Sequence, residues 1–148
     1  MSIVEKINAD IKTAMLAREK ERLNVLRAIK SALMLEATKA LGTEVDDDTA
    51  IKIMMRLQKQ RKEAAEIYEQ QGREDLMKEE LDQSAVLEDY LPKQLSEEEL
   101  TKRLQAIIAE VGASGPQDMG KVMGKASTDL AGLADGRTIS TAVKKLLS

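Results

Sequence analysis

Cysteine and histidine are both absent from this 148-residue chain, and their absence removes most ways of building an active site. Without thiol there is no disulfide, no thiolate nucleophile, no CxxC redox pair and no zinc site that needs sulfur. Without imidazole the commonest general base and the commonest transition-metal ligand are gone, and a Ser-His-Asp triad cannot be assembled. Phe and Trp are missing too, and only two Tyr occur. The core must therefore be filled by Leu, Ile, Val, Met and Ala, side chains that suit the ridge-and-groove packing of helices. No apolar run approaches the roughly 20 residues of a membrane span, and Ser2-Ile3-Val4-Glu5 opens no secretory signal. Asp46-Asp47-Asp48 lacks the alternating spacing of a calcium loop, and no GxxxxGKS or GxGxxG phosphate cradle is present. These absences predict a protein with no metal, no cofactor and no catalytic residue of its own, acting by binding, away from membranes. It is expected in the cytoplasm, or as the matured form of an organellar protein.

What is present is 43 % hydrophobic and 33 % charged residues, enough for a core beneath a solvated surface and too much for disorder. The net charge of −3 is unevenly spread: +3 over residues 1–40, −7 over 41–90 and +1 over 91–148. With a Debye length of about 8 Å, such local balances decide what a surface attracts. A strong, indiscriminate nucleic-acid binder is not expected.

Helical signals follow one another almost without a break. Ser2 and Glu5 have capping-box spacing, and Ile3, Ile7, Ile11 and Met15 recur every four residues. A second helix is predicted from about Glu19 to Leu41, with Leu26, Ile29 and Leu33 inward and Gly42 as its stop. Acidic residues at Asp46-Asp47-Asp48-Thr49 suit the positive end of a third helix, which carries Ala50, Met54, Leu57, Arg61, Ala64 and Tyr68 along one seam until Gly72. A fourth, from about Arg73 to Tyr90, is closed by Pro92. Ser96-Glu97-Glu98-Glu99 opens a fifth helix with Leu100, Leu104, Ile107, Ile108 and Val111, and Gly112 ends it. Pro116 fits the first turn of a sixth, with Met119, Val122, Met123 and Leu130. Ala134-Asp135-Gly136 reads as a turn before a last helix over Thr138–Leu147. No segment alternates with the period of a strand. The prediction is an all-α chain: a four-helix bundle over residues 1–92, then a smaller three-helix bundle over 93–148.

Several residues break the local rules. Arg61 sits inside an apolar seam. It either pairs with Glu80 on the next helix, fixing the hairpin's register, or snorkels to solvent. Lys59-Gln60-Arg61-Lys62 is either a solvated face pairing with Glu63 and Glu66 or a nucleic-acid contact. In Asp118-Met119-Gly120-Lys121-Val122-Met123-Gly124-Lys125, two glycines inside a helix cost about 1 kcal/mol each relative to Ala. They either let another element pack closely or leave room for an RNA backbone beside Lys121 and Lys125. Asp135 is expected to cap the last helix and Gly136 to take special backbone angles, with Arg137 beyond them and Lys144 and Lys145 favouring the helix C-terminus.

Five blocks together resemble the GatB/YqeY family: Lys20–Arg27, Lys59–Glu63, Leu87–Ser96, Asp118–Gly124 and Ala134–Gly136. The joint containing Pro92 and the Asp-Met-Gly-Lys-Val-Met-Gly block are the specific ones, and the likeness covers nearly the whole length. Ala64-Ala65 departs from the Ser expected there in many relatives. The resemblance implies the same four-plus-three helical arrangement. It also implies kinship with the C-terminal tail of the B subunit of tRNA-dependent amidotransferases, carbon–nitrogen ligases that use glutamine as amido donor. In those enzymes the domain recognises tRNA while catalysis lies elsewhere. A tRNA-binding or amidotransferase-associated accessory module is thus the leading expectation, with tRNA, and tRNA-charging or amidotransferase proteins, as partners. Lys121, Lys125, Arg137, Lys144 and Lys145 would contact RNA. The alternative is a module that docks a helical protein through Met119, Met123 and Leu130. Amidation by the isolated chain is disfavoured by the residue inventory.

Overall fold

A computed structural model describes residues 1–39 and 45–148, and every described element is helical. In order these are α1 (Ile3–Leu16), α2 (Lys20–Lys39), α3 (Asp47–Gln70), α4 (Glu74–Glu88), α5 (Glu97–Val111), a 3-10 turn (Pro116–Asp118), α6 (Met119–Asp129) and α7 (Gly136–Leu147). The chain divides into two compact units, Met1–Leu91 and Pro92–Ser148. No described helix is long and apolar enough to cross a membrane.

The helix starts follow from capping chemistry. Ser2 Oγ accepts from Glu5 N at 3.1 Å while Glu5 Oε2 accepts from Ser2 N at 3.0 Å, so two orphan donors of α1 are satisfied reciprocally. Ser96 and Glu99 repeat the device at α5, at 3.1 and 3.3 Å. Asp46 caps α3 through Thr49 N at 2.8 Å, and Asp47 accepts from Ile3 N at 3.0 Å, which joins the start of α3 to the start of α1. Gly112 ends α5 with φ +69°, the left-handed geometry that glycine adopts without steric cost. The turn between α1 and α2 does the same with a non-glycine residue, Arg18, at φ +58°. There Glu19 N reaches Ala14 O and Arg18 N reaches Met15 O. The expected stop at Gly42, and Leu41 before it, lie outside the described residues.

Each unit has its own core. In the first, Ile7, Leu26, Ile29, Met54 and Leu87 are fully buried, each contributing about 1.5–3 kcal/mol by leaving water. In the second, Leu100, Leu104 and Ile107 of α5, Val122 and Ala126 of α6 with Leu130 just beyond it, and Ile139, Val143 and Leu147 of α7 form one cluster. Two members of the predicted apolar series face outward instead: Met15 and Leu81 are exposed. Periodicity alone does not fix how far around a helix the buried stripe extends. Pro116 is also displaced from its expected place. It opens the 3-10 turn, and α6 starts three residues later.

The hairpin of α3 and α4 corrects the expectation for Arg61 and Glu80. Arg61 Nε donates to Gln83 Oε1 at 3.2 Å and its guanidinium reaches Leu57 O at 3.4 Å. Glu80 is half-buried without it. Gln83 lies as many residues after Gly72 as Arg61 lies before it, so symmetry about the turn selects Gln83, one turn beyond Glu80. One turn nearer the open end, buried Gln58 donates to Ser84 O at 3.4 Å. Register is therefore held by neutral amides and a guanidinium, with no ion pair.

Candidate nucleic-acid interface

The block expected to meet RNA lies in the second unit, on α6. Val122, Ala126 and Leu130, at steps of four, are buried in the core, so the opposite side of the helix must face water. That side carries Gly120, Lys121, Gly124, Ser127 and Thr128, all exposed. A Cβ added at Gly120 or Gly124 would meet nothing within 4 Å. The packing account of these glycines is therefore overturned: among the described residues, no helix and no turn approaches them within 4 Å.

Asp118 shapes the approach to α6. Its Oδ2 accepts from Ser114 N at 2.9 Å and from Ser114 Oγ at 3.4 Å. The backbone bond, with help from the nearby Lys121 charge, holds its carboxyl below the usual range. Asp118 thus orders the loop before the helix rather than capping the helix itself.

The five expected cations are not equivalent. Lys121 is exposed and takes part in no ion pair among the described residues. Lys125 lies 3.3 Å from Glu110 of α5 and 3.3 Å from Asp129, with its side chain only 33 % exposed. Its bond to Asp129, then that to Glu110, raises its pKa. Its ammonium is shared with two carboxylates at the surface, so a phosphate there would compete with both for it. Arg137 stands exposed in the first turn of α7, and Lys144 and Lys145 in the last. Lys121 and these three sit on two helices that pack together in one unit.

At the head of α7, Asp135 accepts from Thr138 N at 2.7 Å and from Thr138 Oγ1 at 3.0 Å. Gly136 is the first helical residue with open space around it, so the special backbone angle expected there falls instead at Gly132, φ +79°. Gly132 matters for another reason. Gln94 Nε2 donates to Gly132 O at 2.8 Å and to Pro92 O at 2.9 Å, and Leu95 N donates to Leu133 O at 2.9 Å. The residues after Pro92 are thereby clasped into the second unit. α4 itself closes at Glu88, ahead of the proline.

The apolar docking stripe is overturned as well. Leu130 is fully buried, and Met119 and Met123 are partly buried against the same core.

One constellation escaped sequence reasoning. At the end of α4, Tyr90 donates to Asp10 of α1, and Asp89 pairs with Arg22 of α2 at 3.1 Å. Lys6 Nζ lies 5.5 Å from the Tyr90 ring centre, within cation–π range. Burial, then the bond to Asp10, pushes the Tyr90 hydroxyl upward, and the bond to Asp89 raises Arg22. The signal was there: Arg22 and Asp89-Tyr90 fall in two of the five blocks that carry the resemblance.

Among the described residues every element is helical and the helices fall into two units, which defines a small all-α protein. The family model of the Yqey-like proteins matches residues 4–147, and the chain belongs to that family. Its relatives include three proteins named Altered inheritance of mitochondria protein 41, mitochondrial. That of Kluyveromyces lactis is 27 % identical, covering 82 % of this chain and 68 % of the relative. That of Pyrenophora tritici-repentis is 25 % identical over 98 % of this chain and 81 % of the relative. That of Lachancea thermotolerans is 25 % identical over 76 % and 62 % respectively.

Proposed function

We propose that this protein is a non-catalytic tRNA-binding accessory module, associated with tRNA-dependent amidotransferase chemistry, in which a four-helix bundle carries a three-helix tail that meets the RNA. The observation that supports it most is the bare face of α6. Two glycines weaken that helix by about 1 kcal/mol each relative to Ala, and no packing inside the protein compensates, because a Cβ would fit at either position. A surface without side chains lets a sugar-phosphate backbone come close, and RNA is recognised largely through phosphates and 2′-hydroxyls. Lys121, between the glycines, supplies an uncommitted charge, with Arg137, Lys144 and Lys145 on α7 as further phosphate contacts. Lys125 holds α5 to α6. Catalysis would belong to partner proteins. The setting is aqueous: cytoplasm, or mitochondria, the location in the names of the three relatives.

Titration of fluorescent tRNA with the full chain across a salt series tests this. Four phosphate contacts give a log–log slope of about −3 to −4. Lys121→Ala should weaken binding and reduce the slope by about 1, whereas Lys125→Ala should leave the slope unchanged. Binding that ignores salt, or ignores Lys121→Ala, removes the assignment.

A further inference from the structure

The α3–α4 hairpin is longer than the core that holds it. On α3 the core of the first unit takes Ala50, Ile53 and Met54, with Leu57 packed against it. On α4 it takes Leu87, with Val86 packed against it. No apolar side chain of residues 58–85 belongs to that cluster, although α3 runs on to Gln70 and α4 begins only at Glu74. The part of α3 from Gln58 to Gln70, roughly 20 Å of helix, therefore leaves the core. Its packing partner there is α4, as the bonds from Gln58 to Ser84 and from Arg61 to Gln83 show.

Two rows can be followed from the covered base of this hairpin to its bare end. On α3, Ile53, Leu57, Gln60, Ala64 and Ile67 recur at steps of four, three, four and three, which keeps them on one side of the helix. On α4, counting back from its cap, Asp89, Val86, Asp82, Glu79 and Asp75 recur at steps of three, four, three and four. The base of each row faces α2. Asp89 pairs with Arg22 of α2 at 3.1 Å, and Arg56, beside the first row, lies 3.9 Å from Glu36 of α2. Since α3 and α4 pack on each other, the two rows are the two sides of one face. Outward of Leu57 and Val86 that face loses its cover. Ile67 is 52 % exposed, Ala64 is half-buried, and Gln60, Asp75, Glu79 and Asp82 are all exposed. The core-facing side of the hairpin thus continues outward as an apolar strip edged by three carboxylates.

None of these three carboxylates takes part in an ion pair among the described residues. From Glu63 through the turn at Gly72 to Asp82 there are eight acidic side chains and two basic ones, Arg73 and Lys78, a net −6. Lys78 lies one turn from both Asp75 and Asp82 and pairs with neither. Lys59 and Lys62 turn to the other side of α3. Such a strip repels nucleic acid, an acidic lipid surface and the same strip of a second copy. It attracts cations three and four residues apart, set beside apolar side chains that can cover Ile67. That is the pattern of a basic amphipathic helix. We propose that the outer α3–α4 hairpin, through Ala64, Ile67, Asp75, Glu79 and Asp82, docks a basic amphipathic helix of a partner protein. The docked helix lies in the groove as a third helix, about 8–10 Å from each axis, and meets the three acids over about two turns. The inference does not depend on tRNA binding.

The probe is a fluorescent helical peptide of about four turns, with leucines along one row and lysines three and four residues apart beside it. Fluorescence anisotropy follows its binding to the full chain. The native chain should bind it one to one, more weakly as salt rises. Ile67→Ser, and separately Glu79→Gln with Asp82→Asn, should each weaken binding at least about tenfold. Glu66→Gln with Glu69→Gln removes the same two charges from the opposite side of α3 and should leave binding unchanged. All five positions are exposed, and helical circular dichroism confirms that each variant is folded. A scrambled peptide of the same composition should bind at least about tenfold more weakly than the ordered one. No binding by the native chain, equal binding of the scrambled peptide, or equal weakening by the two double variants would overturn the proposal. So would self-association of the native chain that Glu79→Gln with Asp82→Asn abolishes, since a second copy would then occupy the strip.

Discussion

Tyr90 shows how much one side chain at the end of a helix can hold. It is 7 % exposed, donates to Asp10 and lies under Lys6. Tyr90→Phe keeps the ring and removes the donor, leaving a half-buried carboxylate without that partner. Hydrogen bonds to charged groups are worth about 1.5–3 kcal/mol; with part of Asp10 still wet, a loss of about 1–2 kcal/mol is expected. The neighbouring Arg22–Asp89 pair is 34 % and 56 % exposed, so Arg22→Ala should cost no more than about 1 kcal/mol. Urea midpoints at unchanged slope measure both, and equal losses would contradict this ranking. None of this was legible from local pattern, since Asp10 and Tyr90 lie far apart in sequence and charge alone selects no partner. Arg61 was half legible. Its need for a hydrogen-bond partner across the hairpin followed from the apolar seam, but the choice between Glu80 and Gln83 depends on one helical turn of register.

Among the elements, α6 departs most from what helix propensity favours. Gly120→Ala and Gly124→Ala place a methyl group in open space at positions where Ala favours the helix by about 1 kcal/mol each. The double variant should therefore gain up to about 2 kcal/mol in stability, read as a raised melting temperature. On the proposed function the same protein should bind tRNA more weakly, because two methyl groups hold the phosphate backbone away. Gain of stability with unchanged affinity would mean that bareness is not used. The other helix boundaries were readable because capping is local: Ser2 with Glu5, Ser96 with Glu99, and Asp46 with Thr49 each lie within four residues. The role of Lys125 was not readable, because Glu110 reaches it from another helix. The same holds for the Met119 and Met123 stripe, whose burial depends on where α5 and α7 lie.

For the molecule as a whole, the distribution of titrating groups sets the pH response. Asp46 in the first unit and Asp118 in the second are held below the ordinary carboxyl range chiefly by hydrogen bonds from backbone amides, and Glu99 by its bond with the Ser96 side chain and then the Ser96 amide. A carboxyl depressed by folding contributes stability that is fully present above its unfolded pKa and is lost as pH falls through its folded one. With ordinary carboxyls near pH 4 and no His in the chain, the melting temperature should be nearly flat between about pH 5 and 7. It should then fall below about pH 4. A transition near pH 6 would contradict this, since it requires a carboxyl raised well above its ordinary range. All-helical character was legible from the outset, because both the missing aromatic residues and the three-and-four spacing point the same way.

Both tyrosines, Tyr68 and Tyr90, belong to the first unit, and the second has no aromatic ring. Intrinsic fluorescence and near-ultraviolet absorbance are therefore blind to residues 92–148, and a melt followed by either reports one half of the chain only. Far-ultraviolet signals count the helices of both halves, so a mismatch between the two probes would reveal the tail unfolding on its own without any label being attached.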